Sequence, residues 1–241
     1  MMDKETIMKI EELALRAAES KMINGLPYIP AGFSRVKTPE PEPLEVKTLT
    51  AVVDYLTADA DLIRAGGPVF IHVIDQATVA IRSTLDTGDA RRETYLIAQA
   101  QPNPFQFGRF METEEFIIGV QALFVDEKDR STVLQLVGNI KEESVQNTGD
   151  DGVSQKVTAR QGVSIAVNVK VPNPVILAPF RTFPEIKQPS SPFVCRLQSG
   201  PKAALIEADG GAWKNDAISA IADFLRTNLS DYTTRPVHII A

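Results

Sequence analysis

The sequence is poor in the residues that carry metal and nucleophilic chemistry. It has one cysteine, Cys195, and two histidines, His72 and His238, in 241 residues. A lone cysteine forms no internal disulfide, which fits a reducing compartment. Neither histidine stands in a Gly-x-Ser-x-Gly or Cys/His context, so we interpret both as packed or edge residues and Cys195 as a small buried apolar side chain. We therefore assign no catalytic residue, metal or cofactor.

Long apolar runs and an excess of positive charge are also missing. No stretch reaches the roughly 18 apolar residues of a membrane span, and the chain is charged from Asp3 onward, unlike a signal peptide. The formal net charge is −6, which disfavours long-range attraction to nucleic-acid phosphates. These absences predict a soluble cytoplasmic protein without a membrane partner.

The beginning of the chain shows a helical pattern followed by prolines. Ile7, Ile10 and Leu13 recur at helical spacing within residues 2–22, which predicts an amphipathic helix. Five prolines then interrupt the chain between Leu26 and Leu44, which favours an extended connector. We predict an N-terminal helix (1–25), a proline-rich connector (26–47) and one α+β domain (48–241). The helix packs either on its own domain or on a neighbouring subunit.

The larger domain mixes helices with strands in blocks, without βαβ alternation, which favours an α+β fold with a mostly antiparallel sheet and packed helices. A helix capped by Thr48 is expected to run towards Gly66. The remaining predicted helices are residues 113–125, 129–140 and 213–229. The predicted strands are residues 69–75, 78–85, 93–100, 153–161, 163–170, 175–183, 193–197, 203–208 and 237–240, the first three as an antiparallel meander.

The second half carries an ordered series of short motifs. They are Phe107-Gly108-Arg109-Phe110, Leu136-Val137-Gly138-Asn139-Ile140, Asp150-Asp151-Gly152-Val153-Ser154-Gln155, Val171-Pro172-Asn173-Pro174, Pro179-Phe180-Arg181-Thr182-Phe183-Pro184-Glu185, Gln188-Pro189, Ser191-Pro192-Phe193 and Glu207-Ala208-Asp209-Gly210-Gly211-Ala212-Trp213. In order and spacing, over residues 107–241, the series resembles the YfdQ-like family of tailed phages and prophages. The resemblance implies a protein of a bacterial host cell, often encoded near replication and recombination genes. It implies no reaction, because the family has no assigned activity.

Two acidic groups invite a metal-site interpretation. Glu207 and Asp209 at the end of a strand suit a divalent cation or an acid–base pair. A strand-to-helix junction explains them better, because Asp209 can cap the next helix and Gly210 and Gly211 supply unusual φ values. Glu142, Glu143, Asp150 and Asp151 form an acidic cluster that we interpret as a solvated loop.

Cations beside aromatic residues mark the best candidate ligand site. Arg181, Lys187 and Arg196 lie near Phe183 in the sequence, and cations with aromatic faces suit single-stranded nucleic acid or a small anionic nucleotide. In the competing interpretation the aromatic rings belong to the core, and Arg181 pairs with Glu185 or another carboxylate.

Three functions follow from these patterns. The first is a non-enzymatic phage or prophage accessory protein that forms a homo-oligomer and acts beside DNA replication or recombination factors. The second is a binding module for single-stranded DNA or a small nucleotide, which uses Arg181, Phe183, Lys187 and Arg196. The third is a divalent-metal-dependent enzyme that uses Glu207 and Asp209.

Overall fold

A computed structural model of the chain describes residues 3–19, 21–23, 26–28, 40–59, 67–85, 90–139, 156–161, 165–198, 200 and 202–241. The chain divides into two units, Met1–Glu40 and Pro41–Ala241. Within the described residues the helices are α1 (Lys4–Ala18), α2 (Leu49–Ala58), α3 (Thr113–Leu123), α4 (Lys128–Gly138) and α5 (Trp213–Asn228). None of these is long and apolar enough to cross a membrane. The α+β class and the N-terminal helix are confirmed.

The strands of the described residues pair into two larger sheets and two separate hairpins. They are β1 (Lys21–Ile23), β2 (Leu26–Tyr28), β3 (Leu44–Val46), β4 (Val69–Asp75), β5 (Thr78–Ser83), β6 (Thr94–Gln99), β7 (Met111–Glu112), β8 (Lys156–Gln161), β9 (Ile165–Lys170), β10 (Val175–Leu177), β11 (Ser191–Gln198), β12 (Lys202–Glu207) and β13 (Val237–Ile240). β1 pairs with β2, and β8 pairs with β9, both antiparallel. Residues 29–39 of the predicted proline-rich connector lie outside the described residues.

Side-chain caps set the starts of the first two helices. The Asp3 carboxylate accepts a hydrogen bond from the Thr6 N–H at 2.7 Å, and the Thr48 hydroxyl accepts one from the Ala51 N–H at 3.2 Å. The predicted start at Thr48 is confirmed. Both helices end earlier than predicted. Asp59 adopts a left-handed φ of 50° and its N–H bonds to Tyr55 O, so α2 stops before the glycines that the sequence suggested as its end.

The larger sheet has the order β13-β4-β5-β6-β3. β4, β5 and β6 pair antiparallel in chain order, which confirms the predicted meander. β13 runs parallel to β4, and β3 runs parallel to β6, so this sheet is mixed. The prediction of a mostly antiparallel sheet did not include these two parallel pairs, while the other strand pairs of the described residues are antiparallel. A strand's alternating pattern reveals its faces but not its direction, and β3 is too short and too close to prolines to give a strand signal.

The second sheet has the order β10-β11-β12-β7 and is antiparallel throughout. The β11–β12 pair confirms the predicted hairpin. The predicted strand over residues 175–183 is shorter than expected, since only Val175–Leu177 pairs with β11. β7 has two residues and was not predicted from the sequence. The carboxylate of Glu112 on this strand forms an ion pair with Lys202 on β12, with 2.9 Å between Oε1 and Nζ.

Each sheet is covered by its own pair of helices. α2 and α5 pack against the larger sheet and form the first core, whose fully buried side chains include Leu49, Leu56, Ile71, Ile81, Leu96 and Ile221. α3 and α4 pack against the second sheet and form the second core, which includes Phe116, Val120, Val133, Phe193 and Leu205. Two sheets that each bury one face therefore require two cores within one unit.

Residues 178–190, which we name the strap, join these two cores. At its start the Ala178 carbonyl accepts from the Val125 N–H at 2.9 Å, beside the second core. Further along, Phe183 is fully buried in the first core. Glu185 then accepts hydrogen bonds from the first two amides of α2, at 2.8 Å from Leu49 N and 3.3 Å from Thr50 N. The strap thus begins beside the second core, places Phe183 in the first core and caps α2 through Glu185.

The two phenylalanines of the strap differ in burial and allow a matched test. Phe183→Ala is expected to lower the free energy of unfolding by about 3–5 kcal/mol, because it leaves a cavity in the first core. Phe180→Ala, at a ring that is 43% exposed, is expected to cost about 1 kcal/mol or less. Urea unfolding followed by circular dichroism measures both. Equal losses for the two variants would contradict the placement of Phe183 in the core.

Candidate anion-binding site at Arg181

The turn of the strap holds the backbone of Arg181 in place. The Gln188 side-chain oxygen accepts from the Arg181 N–H at 3.1 Å, and its amide nitrogen donates to the carbonyls of Phe183 at 2.9 Å and Ile186 at 3.3 Å. Gln188 is only 5% exposed. A buried amide with all these partners fixes the local conformation, because loss of any of them would leave a polar group unpaired.

The Arg181 guanidinium is bound by groups of the chain itself. One terminal nitrogen, Nη1, lies 2.8 Å from Glu207 Oε1, and the other, Nη2, lies 2.6 Å from Ser191 Oγ and 3.3 Å from the Pro189 carbonyl. The arginine side chain is 9% exposed and that of Glu207 is 38% exposed. The competing interpretation of the sequence expected a carboxylate partner, and the structure identifies it as Glu207, while Glu185 caps α2.

Two aromatic rings pack on the same guanidinium. Its central carbon lies 3.8 Å from the centroid of the Trp213 ring and 5.7 Å from that of Phe193. Cations over aromatic faces are attracted by the ring quadrupole, and more so when water is excluded. The ring that lies closest is therefore Trp213, the first residue of α5, and the sequence neighbours Phe180 and Phe183 do not supply this contact.

Burial changes the acidity of this cation. Loss of water lowers the pKa of Arg181 to about 10, and the carboxylates of Glu207 and Asp209 act in the opposite direction. The guanidinium is still protonated at neutral pH. Its charge is compensated from inside the chain, which is the arrangement of a structural ion pair.

The segment after Glu207 confirms the predicted strand-to-helix junction. Asp209 accepts from the Gly211 N–H at 2.9 Å through one oxygen and from the Trp213 N–H at 3.2 Å through the other. Gly210 and Gly211 have φ values of 62° and 85°, a region that side chains disfavour. Within the described residues no group of three or more histidine, cysteine, aspartate or glutamate side chains is placed to hold a metal ion.

The other predicted ligand-binding residues do not gather around Arg181. Phe183 lies in the first core, and Lys187 is exposed on the strap. Arg196 is half-buried on β11, where alternation places it on the face opposite to Phe193, the ring near Arg181. As ligand-binding residues Arg181 and these three stay a prediction.

The residues set aside as non-catalytic occupy ordinary structural positions. His238 is exposed on the edge strand β13, with its ring centroid 5.3 Å from that of Phe70. His72 is half-buried on β4. Cys195 is fully buried, which confirms that interpretation, and burial raises the pKa of its thiol to about 12. The thiol is therefore protonated at neutral pH and a poor nucleophile. The acidic cluster of Glu142, Glu143, Asp150 and Asp151 lies outside the described residues.

Comparison with known proteins returns no match: no family model, curated protein or solved structure corresponds to this chain. The resemblance to the YfdQ-like family therefore stays a prediction.

A double-mutant cycle tests whether Arg181 is structural. Arg181→Ala is expected to lower the free energy of unfolding by about 1–3 kcal/mol, because it leaves Ser191 and Glu207 without their partner. Glu207→Ala should cost less after Arg181 is removed than before, with a coupling of about 0.5–3 kcal/mol. Urea unfolding followed by circular dichroism measures the four proteins.

Lys187→Ala serves as the control, because this exposed lysine lies on the same strap and should change the unfolding free energy by about 0.5 kcal/mol or less. An Arg181→Ala protein of unchanged stability that binds oligonucleotides or nucleotides less tightly would instead support the ligand-binding interpretation.

Proposed function

We propose that this chain is a non-enzymatic accessory protein of a phage or prophage, which assembles with copies of itself through α1 and acts beside DNA replication or recombination factors. The observation that carries the self-assembly is the exposed apolar side of α1. The phage setting and the neighbouring replication factors rest on the resemblance of the second half of the chain to the YfdQ-like family.

The apolar side of α1 consists of large side chains that water reaches. They are Ile7, Ile10 and Leu13, whose exposed fractions range from 49% to 54%. Met8 and Leu15 are also exposed, but at about 100° per residue they lie towards the opposite side of the helix. The charged side of the helix is organised by Glu12, whose carboxylate pairs with Lys9 at 2.8 Å and with Arg16 at 3.0 Å. The helix is thus amphipathic, with its polar side internally paired and its apolar side open.

A helix of this length needs packing to be stable. α1 has 15 residues, and isolated helices shorter than about 12–15 residues are marginal in water. The Asp3 cap fixes the start of the helix, and each exposed ion pair contributes only about 0.2–0.5 kcal/mol. Burial of each half-exposed apolar side chain contributes about 1 kcal/mol more. A second copy offers the same surface, so a twofold pairing of α1 covers both helices at once.

The other two functions require existing contacts to be given up. A metal ion bound by Glu207 and Asp209 competes with the Arg181 guanidinium and with the amides at the start of α5. A phosphate bound by Arg181 competes with Glu207. Each exchange loses charge-assisted hydrogen bonds that the fold already makes, which is why self-assembly is the proposal that we favour.

Solution mass tests the assembly. The full chain is expected to form a homo-oligomer at micromolar concentration, and Ile10→Glu should shift it towards the monomer, because a carboxylate is then buried in the helix pairing. Met8→Glu, which adds the same carboxylate at an exposed position on the opposite side of α1, should leave the mass unchanged. Light scattering after size exclusion measures all three, with a chain lacking residues 1–25 as a further comparison. A monomer in every case, or an oligomer that survives Ile10→Glu and the truncation, would contradict the proposal.

A further inference from the structure

A surface groove of about 400 Å³ lies beside the strap in the second unit. Its lining includes Lys47, Gln101, Asn103, Leu123, Phe180 and Pro184. The volume falls within the roughly 300–1,000 Å³ of small-molecule sites. Arg181 is not among the lining residues, so a ligand in the groove does not compete with the Arg181–Glu207 ion pair.

Phe180 presents an aromatic face that the backbone holds in place. The Phe180 N–H donates to the Leu123 carbonyl at 2.8 Å, and the N–H of the next residue, Arg181, is bound by Gln188. The ring nevertheless remains 43% exposed. A flat apolar ring on a fixed backbone loses little conformational freedom when a planar ligand stacks on it.

The charge of the groove is opposite to that of the chain. Among its described lining residues Lys47 is the ionisable one, and it is exposed, whereas the whole chain has a net charge of −6. The last carbonyls of a helix carry partial negative charge that repels an anion, but three of the last four carbonyls of α3 are already bound. Val120 O and Gln121 O accept from the Arg130 guanidinium at 3.2 and 2.8 Å, and Leu123 O accepts from Phe180.

Two amide side chains complete the set of polar groups. Gln101 and Asn103 are exposed in the lining, and neither side chain is bonded to another described residue. A primary amide both donates and accepts, which matches the mixed edge of a nucleobase. An aromatic face and a cation suit a base with an attached phosphate, and the amides can hydrogen-bond to the edge of that base.

We infer that this groove binds one nucleotide unit: the base stacks on Phe180, its edge meets Gln101 or Asn103, and its phosphate contacts Lys47. The inference does not rest on self-assembly through α1. The nucleotide is either free or one unit of a single strand, and both sources share this chemistry.

The two sources are tested with two probes on the full chain. A fluorescent oligothymidylate of about ten nucleotides is titrated by anisotropy, and thymidine monophosphate by calorimetry. Phe180→Leu, which keeps an apolar side chain without the ring, is expected to weaken binding about tenfold. Phe110→Leu is the matched control, because Phe110 is 40% exposed and lies outside the groove lining, and it should bind like the unchanged chain.

The contribution of Lys47 is read from salt dependence. Lys47→Gln should weaken binding of the strand and reduce the slope of log affinity against log salt by about 0.7, while Lys128→Gln, at an exposed lysine on α4, should change neither. Binding of both probes with the same dependence on Phe180 identifies a free nucleotide as sufficient, and binding of the strand alone identifies single-stranded nucleic acid. No binding of either probe at about 1 mM, or equal affinity of the Phe180 and Phe110 variants, overturns the inference.

Discussion

The strap, α5, β11 and β12 of the second unit meet at the contact between the Arg181 guanidinium and the Trp213 ring. The arginine belongs to the strap, the tryptophan begins α5, and the bound Glu207 and Ser191 end β12 and begin β11. Hydrogen bonds, charge and stacking therefore act on one planar group from three elements of the fold. A guanidinium suits this position because it offers donors in its plane and a flat face above it.

The positive charge of Arg181 is costly to bury, but its contacts fix the relative positions of several elements. A buried cation loses its hydration, and the lowered pKa of Arg181 reports that loss. The gain is geometric, since Glu207 and Asp209 both lie just before the turn that starts α5, and Glu207 is bound to Arg181 while Asp209 is bound to amides of the turn and of Trp213. Replacement of Arg181 by a well-packed apolar side chain would lose this orientation, even where the free energy of unfolding is unchanged.

The strap gives the two cores a shared boundary. Phe183 enters the first core only a few residues after Ala178 has bonded to the end of α3, beside the second. Since interiors are close-packed, a shift of the strap in one core is felt in the other. The rigid presentation of Phe180 has the same origin, because both of its neighbouring amide bonds are held.

Local chemistry was predictable from the sequence, and long-range pairing was not. Thr48 as a cap, the β4–β6 meander, the β11–β12 hairpin and Asp209 at the start of α5 all follow from short patterns of polarity, turns and capping. The parallel directions of β3 and β13 depend on contacts with distant strands, and the pairing of Arg181 with Glu207 depends on how the β11–β12 hairpin folds back. The early end of α2 reflects Asp59 in a left-handed conformation that residues other than glycine seldom adopt.

The parallel pairing of β13 with β4 has a consequence for the order of synthesis. Val237 lies beside Val69, so the two partners are 168 positions apart along the chain (237 minus 69). The second core is built from residues 105–205, which are all synthesised before β13. During translation the outer edge of β4, which holds the buried Val69 and Ile71, therefore stays unpaired while the residues of the second core are made. That interval is when the nascent chain is most open to pairing with the wrong strand.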